Sequence, residues 1–400
     1  MVDVLIVGAG PAGAVAGLVL ARAGARVRIV DRAVFPRDKL CGDTLNPGTL
    51  AHLRALGVAD EIDRRGLPVD GMILTGEGGV AVEGRYPRGR LGRAILRRDV
   101  DWSLLQQALR AGCAFESGVV VRRALVGGEG SARTVKGAVV AARGAERTID
   151  ARITIGADGR RSAIAFALGL ACHPARPRRW AIGAYFADVD HVPIRSGSGL
   201  QQIPVGSVAD CAIQGEMHVR KNCYIGVAPV PGGLTNVCLV RALGPASRAF
   251  ADPAALLTGA LADDVQLRDR FARARLVAPP VVLGPLAVDV RAAAIPGLLL
   301  AGDAAGFIDP MTGDGLRFAV HGGDLAARAA LRALEHGWSG VHARHDADRR
   351  RAFGGKWRFN RALRMLVASP GAVDAAAFGA RIAPGVLRAV IARAGDCRLA

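Results

Sequence analysis

The apolar positions open with an unbroken run, Val4 to Val7, followed by the small-residue cluster Gly8-Ala9-Gly10-Pro11-Ala12-Gly13. A small-residue segment comes next, and a second apolar run, Val27 to Val30, ends at Asp31. Short apolar runs bounded by turn signals predict buried parallel strands, so the stretch reads as strand, glycine turn, helix, strand, acid. After a loop from Arg32 to Pro47, a helix is expected from about Gly48 to Leu56. Residues 68–95 alternate apolar and polar around glycines, which predicts antiparallel strands. Leu96 to Ala111 aligns Leu104, Leu105, Ala108 and Leu109 on one helical stripe, and strand-like segments follow at 118–126, 135–142 and 148–156.

The pattern shifts near Cys172. Segments 180–190, 199–205, 209–219, 222–230 and 234–241 are short, β-prone and separated by turns, so they predict one antiparallel sheet. Leu256 to Arg275 returns to helix, an apolar strand starts at Leu298, and a long helix is expected from about Asp314 to His336. Residues 340–366 read as a very basic helix and 371–396 as a small-residue helical tail. The fold expected is α/β. A Rossmann-like nucleotide domain is split over 1–70, 96–172 and 285–340, an antiparallel sheet domain over 71–95 and 173–284 is inserted in it, and 341–400 forms a helical segment.

Composition narrows the function classes. The 400 residues suit two domains, and 51% hydrophobic content excludes a disordered chain. A net charge of +18 could attract nucleic acid, but its arginines are scattered and aromatics are only 4%, so no stacking platform interleaves with a basic run. Nucleic acid is therefore not an expected partner. Seven cysteines with no C-x-x-C argue against a disulfide framework and for a reducing cytoplasm. His336, His342 and His345 with Asp346 and Asp348 have helical spacing, yet arginines surround them, and a solvated face is expected rather than a metal site.

The glycine turn carries chemistry. Gly8 permits the tight turn, Gly10 lets the backbone approach a pyrophosphate, and Gly13 lets the helix pack close to the sheet. The unpaired N–H groups and dipole of the helix start then face the phosphates, and Asp31 stands near the roughly twenty-residue offset expected of a ribose-binding acid. Pro11 and the N-terminal position favour FAD over NAD. Two more strand ends carry Gly-Asp elements: Gly156-Ala157-Asp158-Gly159, and Ala301-Gly302-Asp303, where Asp303 suits a ribitol hydroxyl or a helix N-cap. Pro310-Met311-Thr312-Gly313-Asp314-Gly315-Leu316 opens the next helix, where N–H groups and the dipole can meet a ring gaining negative charge.

These elements, in this order, resemble the FAD-dependent superfamily of para-hydroxybenzoate-hydroxylase type over roughly residues 1–340. The resemblance implies FAD held by Gly8, Gly10, Pro11, Ala12, Gly13, Asp31, Arg32, Arg37, Arg97, Asp158, Gly302, Asp303, Pro310, Gly313, Gly315 and Leu316. Arg97 to Asp101 resembles that family's R-x-x-x-D element, although an arginine there also fits a plain surface position. The loop Phe35 to Asp43, with Lys39-Leu40-Cys41-Gly42, is most similar to the geranylgeranyl reductase branch, as is Tyr224 to Pro229, whose counterpart lines the substrate cavity. Asp43 stands where that branch has Gly or Glu, and aromatic residues are missing between Tyr224 and Pro229, departures that bear on a polyprenyl substrate. No Trp-x-Trp-x-Ile-Pro element exists, which disfavours halogenation.

Cys41, beside Lys39 and Arg37, is a candidate proton donor opposite the flavin, and a buried structural thiol is the competing role. The activity implied is NAD(P)H-linked reduction of a carbon–carbon double bond in an apolar substrate, with NAD(P)H as a transient reductant. The alternatives are a flavin hydroxylase of an aromatic or polyketide-like compound, and a flavin-fold protein that binds without turnover. Peripheral contact of the basic segment from Arg344 with an anionic membrane is a further expectation.

Overall fold

The computed structural model describes residues 2–77, 81–128, 134–175, 178–190, 212–242, 251–367 and 384–397. The N-terminal runs form strand β1 (Val2–Val7), helix α1 (Pro11–Arg22) and strand β2 (Val27–Asp31). Pro11 takes the first helical position, where its missing N–H costs nothing. Strand β1 lies between β2 and Ala145–Gly156, both parallel to it, and the sheet extends to Ala114–Ser117 on one side and Leu298–Leu300 on the other. Because side chains alternate, Val4 and Ile6 enter the core under α1, while Leu5 and Val7 enter a second core on the opposite face. Covering both faces leaves no polar position between Val4 and Val7, which is why that stretch reads as a continuous apolar run.

The glycines set the spacing. Gly8 has φ +102°, and a Cβ there would lie 2.4 Å from the Ala157 carbonyl oxygen. The long helix Gly315–His336 packs against α1 at Gly323, where a Cβ would lie 2.3 Å from the Ala12 carbonyl oxygen. Only a residue without a side chain allows that approach.

The second sheet is built on a meander of Ile213–Arg220, Cys223–Val230, Leu234–Ala242 and Arg179–Ala187, with antiparallel neighbours. Leu67–Thr75 joins it, together with Ala81–Arg85 and Gly92–Ala94. The junction of Leu67–Thr75 with Ile213–Arg220 is parallel, against the expectation of an antiparallel sheet throughout. These two strands arrive from separate passages of the chain, so no hairpin constrains their direction.

Two other expectations change. The helix expected over 256–275 breaks into Pro253–Asp263 and Arg268–Phe271, and between them Asp264 turns extended and grips the Arg220 guanidinium at 2.7 and 3.1 Å. His345 is fully buried within Val341–Val367, not on a solvated face, and Asp348 pairs with Arg332 and Arg351. Among the described residues no cluster of metal-ligating side chains occurs. The tail is helical over Pro384–Ala394, while segments 199–205 and 371–383 lie outside the described residues. Among the described residues, no helix is long and apolar enough to cross a membrane.

Candidate active site

A cavity of about 1190 Å³ opens at the carboxyl ends of the parallel strands and runs between the two sheets. Four strand ends meet there through three backbone bonds: Gly8 N–H donates to Val30, Ala157 to Val7 and Ala301 to Gly156. Distant stretches converge at this point, since a Cβ on Gly302 would lie 3.0 Å from the Ala12 methyl. Gly8, Gly10, Pro11 and Ala12 line the cavity with Gly302, Asp303, Pro310, Gly313, Gly315 and Leu316. Gly13 does not. It faces the sheet, where a Cβ would lie 1.8 Å from the Gly8 carbonyl oxygen, so its role is helix–strand packing. Gly313 turns the backbone at φ +65° into the long helix, and Asp303 sits inside a 3₁₀ turn that Ala301 caps, so its N-cap reading does not hold.

The acids and bases of this end are held firmly. Asp31 accepts from the N–H of Ala9 at 2.7 Å and of Ala33 at 2.8 Å, so its carboxylate braces the glycine turn while lining the cavity beside Arg32. Arg37 pairs with Asp101 at 2.9 Å and lies over the Phe35 ring, and its Nη1 is buried without a partner. A Cβ on Gly10 would meet only Arg37 Nη2, at 3.6 Å, so the guanidinium faces the turn with room for no more than a small group between it and the glycine backbone. Asp158 accepts from Ala163 N–H at 2.8 Å, its Oδ1 is buried and unpartnered, and burial raises its pKa above the usual carboxylate range.

Arg97 is buried, not a surface arginine. It binds Asp101 through two bonds of 2.9 Å, as expected when a fork-shaped donor lies one helical turn from a carboxylate. Burial works against its charge, but Asp101 first and Cys41 beside it outweigh that and hold its pKa above the ordinary arginine value. Lys39 reaches into the cavity, and the protein around it, with Arg97, lowers its pKa against the pull of Asp303 and Asp101.

At the far end the wall is apolar, formed by Met72, Ala181, Met217, Val240, Leu283 and Leu286. All three tyrosines of the chain, Tyr86, Tyr185 and Tyr224, line the cavity. Tyr224 donates to Asp309 at 2.6 Å, and Asp309 also takes the N–H of Met311 and pairs with Arg179, which joins the second sheet to the turn before Gly313. Pro229, expected in the same wall, lies outside it. Five residues separate it from Tyr224, and that odd offset turns it to the other face of the strand.

Sequence reasoning gave no site role to Asp43 or Tyr185, and it marked Asn236 only through the family's cavity-strand pattern. Asp43 is fully buried and accepts from Tyr185 Oη at 2.6 Å, from Asn236 Nδ2, and from Arg97 N–H at 3.1 Å. Burial pushes its pKa up to about 6 against those bonds. The available signal was an acid directly after Cys41-Gly42; its partners lie on distant strands that no local pattern links to it.

Residues 1–198 match the family model of the FAD binding domain. The chain is 32% identical to the menaquinone reductase of Mycolicibacterium smegmatis over 336 residues, covering 81% of this chain and 75% of that protein. It is 28% identical to conditioned medium factor receptor 1 of Dictyostelium discoideum over 83% of its own length, but spans only 64% of that protein. In fold it is similar to a geranylgeranyl bacteriochlorophyll reductase-like protein of Thermoplasma acidophilum, with TM-score 0.76, 21% identity, and coverage of 93% of this chain and 89% of that one.

Proposed function

Because the chain belongs to the FAD-dependent oxidoreductases of para-hydroxybenzoate-hydroxylase type, in their geranylgeranyl-reductase-like branch, we propose that it reduces a carbon–carbon double bond of an apolar substrate with electrons drawn from NAD(P)H. The observation that carries this reading is the continuity of one cavity from a phosphate-facing glycine turn to an apolar chamber. Its 1190 Å³ exceeds the roughly 300–1,000 Å³ of a pocket for one small molecule, so cofactor and substrate can share it.

The residues fit FAD. The unpartnered Arg37 Nη1 and the open face of Gly10 offer a donor and a close backbone approach where a pyrophosphate would lie, and the start of α1 adds N–H groups and dipole. Asp31 keeps lone pairs that would serve the ribose, and Arg32, Asp158 and Asp303, all on the cavity wall, would hold the phosphates and the ribitol. The turn Pro310 to Leu316 presents the start of the long helix to the ring. Bound FAD supplies a two-electron carrier that delivers hydride to carbon. Cys41, on the wall and fixed by Arg97, gives the proton to the neighbouring carbon, and the apolar chamber excludes water from both events.

The test is a single turnover of the dithionite-reduced holoenzyme in the absence of oxygen, with geranylgeraniol and geranylgeranyl diphosphate as probes. Reoxidation of the flavin with formation of reduced product supports the reductase reading; product that forms only with oxygen makes it a hydroxylase. Cys41→Ser is expected to slow this reoxidation by about a hundredfold or more, the low end of general-acid effects, while flavin reduction stays at the wild-type rate. An unchanged reoxidation rate reduces Cys41 to packing.

The helix Val341–Val367 exposes Arg344, Arg350, Arg351, Arg358 and Arg361, and Leu363 near its end packs on the cluster containing Tyr224, Met217 and Leu286. A basic stripe that leads to the substrate chamber suits a cytoplasmic enzyme resting on anionic lipid. Co-sedimentation is expected with phosphatidylglycerol vesicles and not with phosphatidylcholine vesicles; equal binding to the two removes this part of the proposal.

A further inference from the structure

We propose that Asp43 is the positioning residue of the protonation step, the group that holds Cys41 and Tyr185 in place in the wall of the substrate chamber. The inference rests on the reductase reading above. Asp43 does not line the cavity, yet residues on either side of it in space do: Cys41 in its own loop, and Tyr185 and Asn236 on the second sheet. One carboxylate thus joins three elements. Oδ2 takes Tyr185 and Asn236 from the second sheet, and Oδ1 takes the N–H of Arg97 from the helix Arg97–Arg110. Asn236 also donates to the Cys41 carbonyl at 2.6 Å, so the same amide holds the thiol's backbone and the acid.

The loop is fastened at both ends to one helix, by Arg37 on Asp101 and by Asp43 on Arg97 N–H. Its backbone has a cost, since Asp43 sits at φ +50°, a region non-glycine residues enter only when the surroundings hold them there. Fully buried, in a left-handed conformation that costs any side chain something even though Asp and Asn enter it most readily, with every bond directed at the cavity wall, Asp43 is poorly explained by stability alone.

Its ionisation gives this a sign. The titratable and charged groups around it are the Arg97 guanidinium, Cys41, Tyr185 and Cys238. Burial is the largest influence and raises its pKa from the ordinary carboxylate range to about 6. A raised acid contributes stability in its neutral form. That contribution is complete below the unfolded value, roughly 3.9, and is lost as the pH climbs through about 6. At pH 7.5 the ionised acid is therefore kept for the three donors it organises, at the expense of the fold.

Asp43→Asn removes the charge and sets an amide NH₂ against N–H and O–H donors, while asparagine tolerates positive φ well. The expected result at pH 7.5 is an unfolding midpoint equal to or above that of the wild type, with kcat for reoxidation by the probe substrates down about tenfold and KM little changed. Alkylation of Cys41 by iodoacetamide in the FAD-loaded protein, followed on the Cys41 peptide by mass spectrometry, is expected to quicken about threefold or more as the loop loosens. Tyr185→Phe, which removes one donor and keeps the packing, is expected to shift alkylation in the same direction by less, and it serves if the asparagine variant does not fold. A wild-type alkylation rate in both variants overturns the proposal, as does loss of activity that only tracks a lowered midpoint. Alkylation needs no substrate, so a wild-type protein inactive on every probe sinks the reductase reading while this measurement still decides the role of Asp43.

Discussion

Gly10→Val is expected to yield a folded, colourless protein with FAD affinity lowered at least about a hundredfold, close to 3 kcal/mol. A Cβ at this position meets nothing nearer than Arg37 Nη2 at 3.6 Å, so the fold loses little. The branched side chain instead fills the space between the first N–H groups of α1 and the Arg37 guanidinium, where the pyrophosphate must lie to reach both. Gly13→Val, three residues on, should behave in the opposite manner. There a Cβ would stand 1.8 Å from the Gly8 carbonyl oxygen, so α1 would have to leave the sheet, and insoluble protein is expected. The ratio of flavin to protein absorbance and the unfolding midpoint separate the two cases; a Gly10→Val protein that retains one FAD per chain would show that the phosphates bind elsewhere.

Lys356→Met is expected to cost about 3 kcal/mol, seen as a fall of a few degrees in the unfolding midpoint. Lys356 is buried against Asp314 at 3.0 Å and donates to the carbonyls of Arg393 and Ala394, so it ties the basic helix and the tail helix to the turn between Gly313 and Gly315. Asn46 and Asn360 complete the Asp314 carboxylate, each at 3.2 Å. Without Lys356, Asp314 remains buried and largely uncompensated, a state burial already disfavours by raising its pKa. Removing the second charge as well, with Asp314→Asn, should recover most of the loss, because the penalty comes from the stranded acid more than from the missing pair. Equal midpoints for the single variant and the wild type would mean that the tail does not brace the turn.

The parts of the site that were legible in the sequence are those fixed by local backbone chemistry. Gly8, Gly10 and Gly13 each answer a steric requirement of a strand–turn–helix unit, and Asp31 and Gly302 follow at strand ends, so spacing alone brings them to one place. Arg97 was legible as a motif but ambiguous in burial, since an i, i+4 Arg–Asp pair is as common on a surface as in a core. What spacing could not reveal is pairing across the domains. Asp43 with Tyr185 and Asn236, and Asp309 with Tyr224 and Arg179, join residues 85 to 193 positions apart. The parallel junction of Leu67–Thr75 with Ile213–Arg220 escaped for the same reason, because alternation reports which face is buried and not which neighbour lies alongside. Pro229 shows the converse error, where a family pattern outweighed the two-residue period of a strand.

The most direct test is a crystal structure of the FAD-loaded protein. The account predicts one flavin in the cavity, its pyrophosphate within hydrogen-bond reach of the amides at the start of α1 and of Arg37, and its ring between the Gly313 turn and the wall of Cys41 and Tyr224. A pyrophosphate bound away from Gly10 and Arg37, or a ring that leaves no apolar space beside Cys41, would contradict it.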